Sequence, residues 1–342
     1  MLTVYSEKHV LRDAKTELFG GQLVPPFECP VRAEYILERL QSVGLGKVIA
    51  PDDFGLDPVT RIHDREFLGF LEQCWEDWIA LGYKGEAIPT IWPARGMQQR
   101  VPNHIEGRMG YYALAGETAI SNGTWEAARV SANVALTAQM AINNGAGEAF
   151  ALCRPPGHHA AADMYGGYCF INNSAVAAQA FIDQGAGRIA ILDVDFHHGN
   201  GTQAIFFDRS DVMFISLHGD TKDAFPYFLG YGDEIGSGKG EGFNINYPMG
   251  PGTNFETWGS ALEDACKKIA SYGPDALVIS LGVDTFEKDP ISFFRLTSND
   301  FKRYGATIGA LRLPTLFVME GGYAVEEIGL NTVNVLQGYE EI

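Results

Sequence analysis

Short apolar segments alternate with longer amphipathic segments along most of this chain, and that alternation limits the folds that it can adopt. The short segments are rich in valine, isoleucine and leucine, which is typical of strands buried on both faces of a parallel sheet. The longer segments have the spacing of helices that cover such a sheet on each side. We therefore predict an α/β fold with a central, mostly parallel β-sheet, helices on both faces and long loops at the carboxyl ends of the strands.

The same pattern places individual strands and helices. The predicted central strands are 148–153, 188–194, 212–217, 276–283 and 315–319. The predicted helices are 64–81, 125–143, 174–184, 255–271 and 299–311. Ser298 or Asn299 is the expected N-cap of the last helix, and Gly273 is expected to end the helix before it.

The composition indicates one large acidic domain. The chain has 342 residues, 46% of them hydrophobic, and no linker or internal repeat divides it, so we expect a single domain over 1–342. Its 25 basic and 43 acidic residues give a net charge of −18. Such an excess disfavours nucleic acid as a partner and allows a cationic substrate, although acidity also serves solubility alone.

The amino-terminal residues and the cysteines indicate the cell compartment. Residues 1–8 lack the basic start and apolar core of a signal peptide, and no apolar run approaches the roughly 20 residues of a membrane span. The five cysteines are scattered without CxxC spacing, which argues against a disulfide scaffold or a structural zinc site. We expect a cytoplasmic protein with reduced thiols and no membrane partner.

Four polar clusters each follow directly on a predicted strand. They are 154–159, 193–198, Asp284 and 320–323. Ligands of open α/β sheets bind at the carboxyl ends of the strands. We therefore expect these clusters to converge on one rim, although they are far apart in sequence.

Asp195, His197 and Asp284 are the candidate metal ligands. Alternate residues that leave a strand point the same way, so Asp195 and His197 can face one cation, and Asp284 completes a three-ligand catalytic zinc set. Fe²⁺, Co²⁺ or Mn²⁺ also suits one histidine with two carboxylates. The alternative is that these groups only hydrogen-bond inside a buried loop. Gly199 and Phe286 stand where binuclear enzymes of similar architecture carry further aspartates, so we expect one ion.

His158, His159 and Tyr323 are the candidate catalytic groups. A carboxylate or a metal readily shifts the pKa of an imidazole, so adjacent histidines can divide the roles of general base and electrostatic catalyst. Tyr323 follows two glycines and can donate its hydroxyl to a developing oxyanion. Taken singly, a packed histidine pair and an ordinary half-buried tyrosine are the alternatives.

Together these motifs resemble the zinc-dependent deacetylases of the arginase/deacetylase fold, the superfamily of histone deacetylases and acetylpolyamine amidohydrolases. The motifs that match in order and spacing are 154–160, 167–173, 193–203, 284–290 and 320–323. Weaker similarities at 30–32, 62–64 and 233–238 extend the resemblance over nearly the whole chain.

The resemblance implies one zinc ion, held by the three candidate ligands, and a water that attacks an acetamide carbonyl. His159 is the implied general base, and His158 is the electrostatic catalyst or the acid for the leaving amine. Asp193 is implied to orient His158. Asn200 stands where an aspartate is common, which marks a class II-like branch and leaves the partner of His159 neutral. Tyr323 is the implied donor to the tetrahedral intermediate.

The resemblance also implies residues around the metal. Tyr168 and Phe225 match the two aromatic residues that line a narrow substrate tunnel, and Ile291 matches a residue at its rim. Two structural potassium sites are implied as well. The positions that match them are Asp193, Asp195, His197, Ser216 and Leu217 for the first, and Phe206, Arg209, Val212 and Phe243 for the second.

Residues 82–122 are the part of the sequence that indicates the class of substrate. This segment is longer than the corresponding loop of histone deacetylases and resembles the insertion of bacterial acetylpolyamine amidohydrolases, which implies a narrowed tunnel mouth and a homodimer contact. Glu106 and Glu117 are the candidates for binding the ammonium groups of a polyamine. The alternative is that both are solvated loop carboxylates.

The predicted function is zinc-dependent deacetylation of N-acetylated polyamines such as acetylputrescine, acetylspermidine or acetylcadaverine. A class II-like protein acetyl-lysine deacetylase is the first alternative, separated from it by the length of the insertion. A catalytically silent ligand-binding protein is the remote alternative, and it predicts the loss of metal ligands or of Tyr323. All of these residues are present.

Overall fold

The computed structural model describes residues 1–96 and 98–342, and within them one eight-stranded sheet forms the centre of the molecule. The strands are β1 (Leu2–Val4), β2 (Glu17–Phe19), β3 (Gln22–Val24), β4 (Lys47–Ile49), β5 (Glu148–Ala151), β6 (Ile189–Asp193), β7 (Val212–Gly219), β8 (Asn244–Met249), β9 (Ala276–Leu281) and β10 (Thr315–Met319). The central sheet has the order β4-β1-β5-β10-β9-β6-β7-β8, and β2 and β3 form a separate antiparallel hairpin. All paired neighbours in the central sheet are parallel.

Helices cover both faces of this sheet. They are α1 (Val31–Val43), α2 (Arg65–Ala80), α3 (Ile105–Tyr112), α4 (Thr124–Asn143), α5 (Asn173–Asp183), α6 (Asn200–Phe206), α7 (Phe255–Tyr272), α8 (Ser298–Gly309) and α9 (Val325–Glu340). Short 3₁₀ helices lie at Glu7–Leu11, Val59–Arg61 and Gly238–Gly240. Across the described residues, no helix is both long and apolar enough to cross a membrane.

All five predicted central strands and all five predicted helices are present, with ends within two residues of the prediction. Gly273 ends α7 with φ of 64°, as expected. The expected N-cap of α8 was wrong. The cap is Thr297, because Asp300 three residues later accepts from the Thr297 backbone N–H (2.8 Å) and completes a reciprocal capping box.

Two hydrophobic cores lie on opposite faces of the sheet. Successive side chains of a strand point to opposite faces, so Val278 of β9 joins the core beneath α2, α4 and α5, while Leu277 and Ile279 join the core beneath α1, α7, α8 and α9. Burial on both faces explains the nearly continuous apolar strands of the sequence.

The sheet order places the functional loops side by side. β5, β10, β9 and β6 are adjacent central strands, and all run parallel. The four polar clusters follow these four strands, so their side chains leave the sheet at one edge. The predicted convergence of the clusters therefore follows from the strand order.

The described residues of 82–122 include α3, and Ala87, Met109 and Ile120 among them are buried in the same core as α2, α4 and α5. The ends of the segment are joined by two backbone hydrogen bonds between Ala87 and Ile120, each 2.9 Å. Met97, in this segment, lies outside the described residues. The assignments of 82–122 as an insertion and of 1–342 as one domain stay predictions.

Helices α8 and α9 approach closely at a glycine, which makes their packing testable. A Cβ atom on Gly305 would lie 2.1 Å from the Val335 carbonyl oxygen. We expect Gly305→Ala to lower the free energy of unfolding by about 1–3 kcal/mol, measured by urea denaturation. Gly69→Ala in α2 is the matched control, because its Cβ meets nothing within 4 Å. It should be neutral or stabilising by up to ~1 kcal/mol, and equal effects of the two changes would contradict the packing argument.

Candidate active site

Asp195, His197 and Asp284 meet at the carboxyl ends of two paired strands, β6 and β9. The Nδ1 atom of His197 lies 3.0 Å from Asp284 Oδ2 and 3.4 Å from Asp195 Oδ1. All three side chains are buried, and their potential ligand atoms lie within 4.8 Å of one another. The structure therefore brings the three predicted metal ligands together.

Backbone N–H groups hold both carboxylates in place. Asp195 accepts from Gly321 (2.8 Å) and His197 (2.8 Å), and Asp284 accepts from Phe196 (2.7 Å). A Cβ atom on Gly321 would lie 2.6 Å from the Oδ2 atoms of both aspartates, so only glycine permits this approach. The one remaining carboxylate oxygen, Asp284 Oδ2, faces the Nδ1 atom of His197.

The donor set fits a divalent cation. Two fully buried carboxylates lie in one cluster with His197, and in the described part of the chain only histidines form ion pairs with them. Burial and the charge of Asp195 raise the pKa of Asp284 to about 8. Buried charge of this kind is costly unless a cation compensates it, and two carboxylate oxygens with one imidazole nitrogen suit zinc and similar ions.

The two adjacent histidines have different partners. The Nδ1 atom of His158 lies 2.9 Å from Asp193 Oδ2, and that of His159 lies 2.6 Å from Asn200 Oδ1. Burial lowers the pKa of His158, but the charges of Asp195 and Asp193 outweigh it and raise the pKa to about 10. Burial and the charge of His158 hold the pKa of His159 well below 6.5. The surroundings thus favour the charged form of His158 and the neutral form of His159.

Glu320 fixes the turn that carries the histidine pair. Its Oε2 atom accepts from the backbone N–H groups of Gly157 (2.6 Å) and His158 (3.1 Å), and its Oε1 atom accepts from the Ser174 hydroxyl (3.1 Å). The loops after β5 and β10 are therefore joined through one buried carboxylate. From the sequence, Glu320 was identified only as a member of the polar cluster 320–323, and its contact with the histidine turn was not predicted.

Tyr323 lies beside the three candidate ligands. Its ring packs edge-on against Tyr168 (5.6 Å between centroids) and His197 (6.5 Å), and the Arg32 guanidinium lies 4.8 Å from its centroid. Burial raises the pKa of Tyr323 well above 10, so its hydroxyl stays protonated at neutral pH.

A cavity of about 300 Å³ opens onto this cluster. It is lined by Glu17, Leu18, Phe19, Glu117, His159, Gly167, Tyr168, Phe196, His197, Asp223, Ala224, Phe225, Tyr227, Ile291, Phe293 and Tyr323. The predicted aromatic residues Tyr168 and Phe225 and the predicted rim residue Ile291 are among them. The cavity is therefore aromatic on its walls, with His159, His197 and Tyr323 in its lining.

The cavity wall carries three acidic side chains. Glu17, Glu117 and Asp223 line it, and no lysine or arginine of the described residues does. Glu17 accepts from the Tyr168 hydroxyl (3.1 Å) and from the Phe27 backbone (3.0 Å), and burial raises its pKa to about 7. Glu117 accepts from the Gly167 backbone (2.8 Å). The lining favours a cationic ligand.

The sequence did not identify Glu17 as a residue of the cavity, and it predicted Glu106 to bind the substrate, although Glu106 does not line the cavity. The Gly20-Gly21 turn signals the β2–β3 hairpin that carries Glu17, but nothing in the sequence locates that hairpin at the cavity. Glu106 lies outside the cavity, is 47% exposed and accepts from the Tyr83 hydroxyl (2.8 Å). Within one chain the structure does not bring Glu106 to the site, and its substrate role stays a prediction.

The residues matched to potassium sites lie in two regions. In the first, Asp193 of β6 pairs with Ser216 of β7, and the Ser216 hydroxyl also contacts His218 Nδ1 (2.8 Å). Asp195, His197 and Leu217 are close in sequence to these two. In the second, Phe206 ends α6, the Arg209 N–H donates to its carbonyl (3.0 Å), and Val212 begins β7, where the Phe214 N–H donates to the Phe243 carbonyl (2.9 Å). Potassium binding stays a prediction.

Known proteins are similar to this chain in both sequence and fold. The family model described as histone deacetylase domain matches residues 26–339. Acetylpolyamine amidohydrolase 2 of Pseudomonas aeruginosa is 57% identical over 342 residues, covering 100% of this chain and 99% of the relative. Acetylpolyamine amidohydrolase of Mycoplana ramosa is 59% identical over 338 residues, covering 99% of each.

Solved structures agree with these relatives. The acetylpolyamine aminohydrolase from Burkholderia pseudomallei has a TM-score of 0.94 and 39% identity, covering 99% of this chain and 98% of that chain. The HDA15 HD domain has a TM-score of 0.81 and 26% identity, covering 98% of this chain and 87% of that chain.

Metal binding can be tested at Asp284. We expect Asp284→Asn to weaken Zn²⁺ binding by more than about 100-fold, because even groups that only orient metal ligands contribute 10–100-fold. The measurement is metal content after dialysis against a competing chelator, together with the metal-dependent rise in melting temperature. His159→Ala is the control, because His159 is not in the donor set, and it should retain its metal. Equal metal content in both variants would exclude this site.

Proposed function

This chain belongs to the histone deacetylase family and is an amide-bond hydrolase, and on that basis we propose that it releases acetate from N-acetylated polyamines. Its parallel sheet and its likeness to solved deacetylase structures confirm the predicted arginase/deacetylase-type fold. The family implies a metal cofactor, and we propose a single Zn²⁺ on Asp195, His197 and Asp284, with Fe²⁺ or Co²⁺ as alternatives.

The acidic lining of the cavity is the observation that carries the substrate assignment. Glu17, Glu117 and Asp223 border a cavity that is also lined by the candidate ligand His197 and by Tyr323. An acetylated polyamine has an uncharged acetamide end and ammonium groups along its length. The acetamide fits beside the metal ligands, while the ammonium groups gain charge-assisted contacts nearer the opening. Aromatic walls suit the methylene chain between them.

The histidine pair supplies the proton transfers. Bound zinc supplies polarisation of the carbonyl and a lowered pKa of water. The His159 Nδ1–H donates to Asn200, which leaves Nε2 of the neutral ring free to accept a proton from the attacking water. His158 keeps its Nδ1–H on Asp193 and holds positive charge beside the reaction centre, where it can protonate the leaving amine.

Tyr323 supplies the remaining electrostatic contribution. Its hydroxyl is protonated and buried beside His197, so it can donate a hydrogen bond to the carbonyl oxygen as negative charge develops there. A donor that is already in place needs no reorganisation during the reaction. Removal of one such donor costs about 10²–10³-fold in turnover in other hydrolases.

The same proposal covers the partners of the enzyme. The proposed homodimer contact lies in residues 82–122, where the apolar side chains of Ile91 and Trp92 are exposed. We also propose that the enzyme binds structural potassium ions and that it is located in the cytoplasm. The charge of −18 favours a small cationic substrate over nucleic acid.

Turnover of acetylputrescine by zinc-loaded enzyme tests the proposal. We expect release of acetate and putrescine, measured by steady-state kinetics. No turnover of acetylputrescine together with efficient turnover of an acetyl-lysine peptide would replace the proposal with a protein deacetylase.

Removal of one negative charge from the cavity wall tests whether that charge binds the ammonium group of the substrate. Glu117→Gln should raise KM for acetylputrescine by about 10-fold, the scale of one charge-assisted hydrogen bond. The variant should leave KM for uncharged N-butylacetamide unchanged. Glu72→Gln is the matched control, because it removes the same charge from the exposed surface of α2, outside the cavity.

The neutral partner of His159 makes the pH profile testable. Asn200→Asp places a carboxylate beside His159 Nδ1 and should raise the pKa of this general base by about 1–3 units. Because the base must be unprotonated, activity is then lost at a higher pH as the solution is acidified. The acid limb of kcat/KM should move upward, whereas Asn200→Ser, which stays neutral, should not move it upward. An unmoved limb in Asn200→Asp would contradict the role of His159 as the base.

A further inference from the structure

Asp289 is a buried carboxylate that the proposed chemistry does not use. It lies in the loop after β9, is 7% exposed and accepts three backbone N–H groups. Its Oδ2 atom accepts from Tyr323 (2.7 Å) and Ala324 (3.2 Å), and its Oδ1 atom accepts from Ile291 (3.1 Å). Among the described residues no lysine, arginine or histidine forms a salt bridge with it, and the adjacent Lys288 pairs with Glu327. Its partners are therefore backbone groups of two loops.

The first of these loops is the Gly-Gly-Tyr turn. Arg32 donates to the carbonyl oxygens of Gly322 (2.6 Å) and Glu320 (2.7 Å), and Gly322 has φ of 125°, a conformation that few other residues adopt. Asp289 binds the same turn from its N–H side, at Tyr323 itself. The turn is thus clamped between a guanidinium on its carbonyls and a carboxylate on its amides.

The second loop forms part of the cavity wall. Ile291 lines the cavity two residues after Asp289, and its N–H is bound by the second carboxylate oxygen. One side chain therefore connects a residue that lines the cavity with Tyr323, whose hydroxyl is the proposed oxyanion donor. A misplacement of about 1 Å at a reacting group can cost ~10²-fold in rate, so such a connection bears on turnover.

We propose that Asp289 is a positioning residue that sets the Tyr323 hydroxyl against the substrate carbonyl and ties that position to Ile291 on the cavity wall. This inference rests on the proposed function, in which Tyr323 donates to the developing oxyanion. Asp289 acts through the backbone of Tyr323 and touches neither the substrate carbonyl nor the metal ligands by the hydrogen bonds described.

Asp289→Asn is the direct test, because asparagine keeps the shape of the side chain. Whichever way its amide is turned, the NH₂ group faces an N–H donor, so the bonds to Tyr323 and Ala324 or the bond to Ile291 is lost. We expect kcat for acetylputrescine to fall by about 10–100-fold with KM changed by less than about 3-fold, and zinc content to stay at the wild-type level.

A double-mutant cycle with Tyr323→Phe separates positioning from general support of the fold. If Asp289 acts through the Tyr323 hydroxyl, Asp289→Asn should lower kcat by less than about 2-fold once that hydroxyl is absent. Asp300→Asn is the matched control. Asp300 is also 7% exposed and accepts a backbone N–H (2.8 Å), but it caps α8 outside the cavity. It should lower the melting temperature while kcat stays unchanged.

The kcat values of these variants support or reject the positioning role of Asp289. An unchanged kcat in Asp289→Asn, or the same loss in the Tyr323→Phe background, overturns it. If Tyr323→Phe itself retains full turnover, the proposed role of Tyr323 fails and the inference fails with it. If Tyr323→Phe is slow and Asp289→Asn is not, only the inference fails. Should Asp289→Asn not accumulate as folded protein, Asp289→Ser is assayed by the same cycle and judged by the same outcomes.

Discussion

The burial of two carboxylates, Asp195 and Asp284, at the ends of adjacent strands is the constraint on which the rest of the site depends. An isolated charge in the interior costs several kcal/mol. The structure offsets this cost with backbone N–H groups, with the imidazole of His197 and with a donor geometry that suits a divalent cation. Glycine at position 321 follows from the same constraint, because any larger residue would displace both carboxylates.

The surrounding charges then give two chemically identical side chains opposite properties. His158 faces Asp193 and the candidate metal ligands, which raise its pKa, whereas His159 faces the neutral Asn200 and the positive charge of His158. The consequence is a proton donor and a proton acceptor side by side. Neither property belongs to the dipeptide alone, because Asp193 and Asn200, which bind the two rings, lie 35 and 41 positions away in sequence.

Buried carboxylates also connect the loops to one another. Glu320 joins the loop after β10 to the loop that carries the histidines, and Asp195 binds the same β10 loop at Gly321. Asp289 completes the pattern at Tyr323. Each connection uses a side chain from one strand end and backbone N–H groups from another, which fixes loop conformation without a covalent bond. Such cross-connection provides the preorganisation that hydrolysis of an amide demands.

The sequence by itself determined the central strands, their flanking helices and the motifs at the strand ends, because burial on both faces of a sheet leaves continuous apolar segments that are read locally. The edge strands β4 and β8 and the strand β1 beside β4 were not predicted, since strands of three residues, or with Asn and Pro, carry little pattern. The N-cap at Thr297 depended on a side chain three residues away.

Only the tertiary structure decided which acidic residues face the cavity. Glu17 reaches it from a hairpin more than 100 residues before the catalytic motifs, while Glu106 points away from it within one chain. The physical reason is that the direction of a loop depends on what it packs against, and its own residues do not encode that partner. The convergence of the three candidate metal ligands was predictable because strands and sheet order fix their direction, and the set of acidic residues that face the cavity was not.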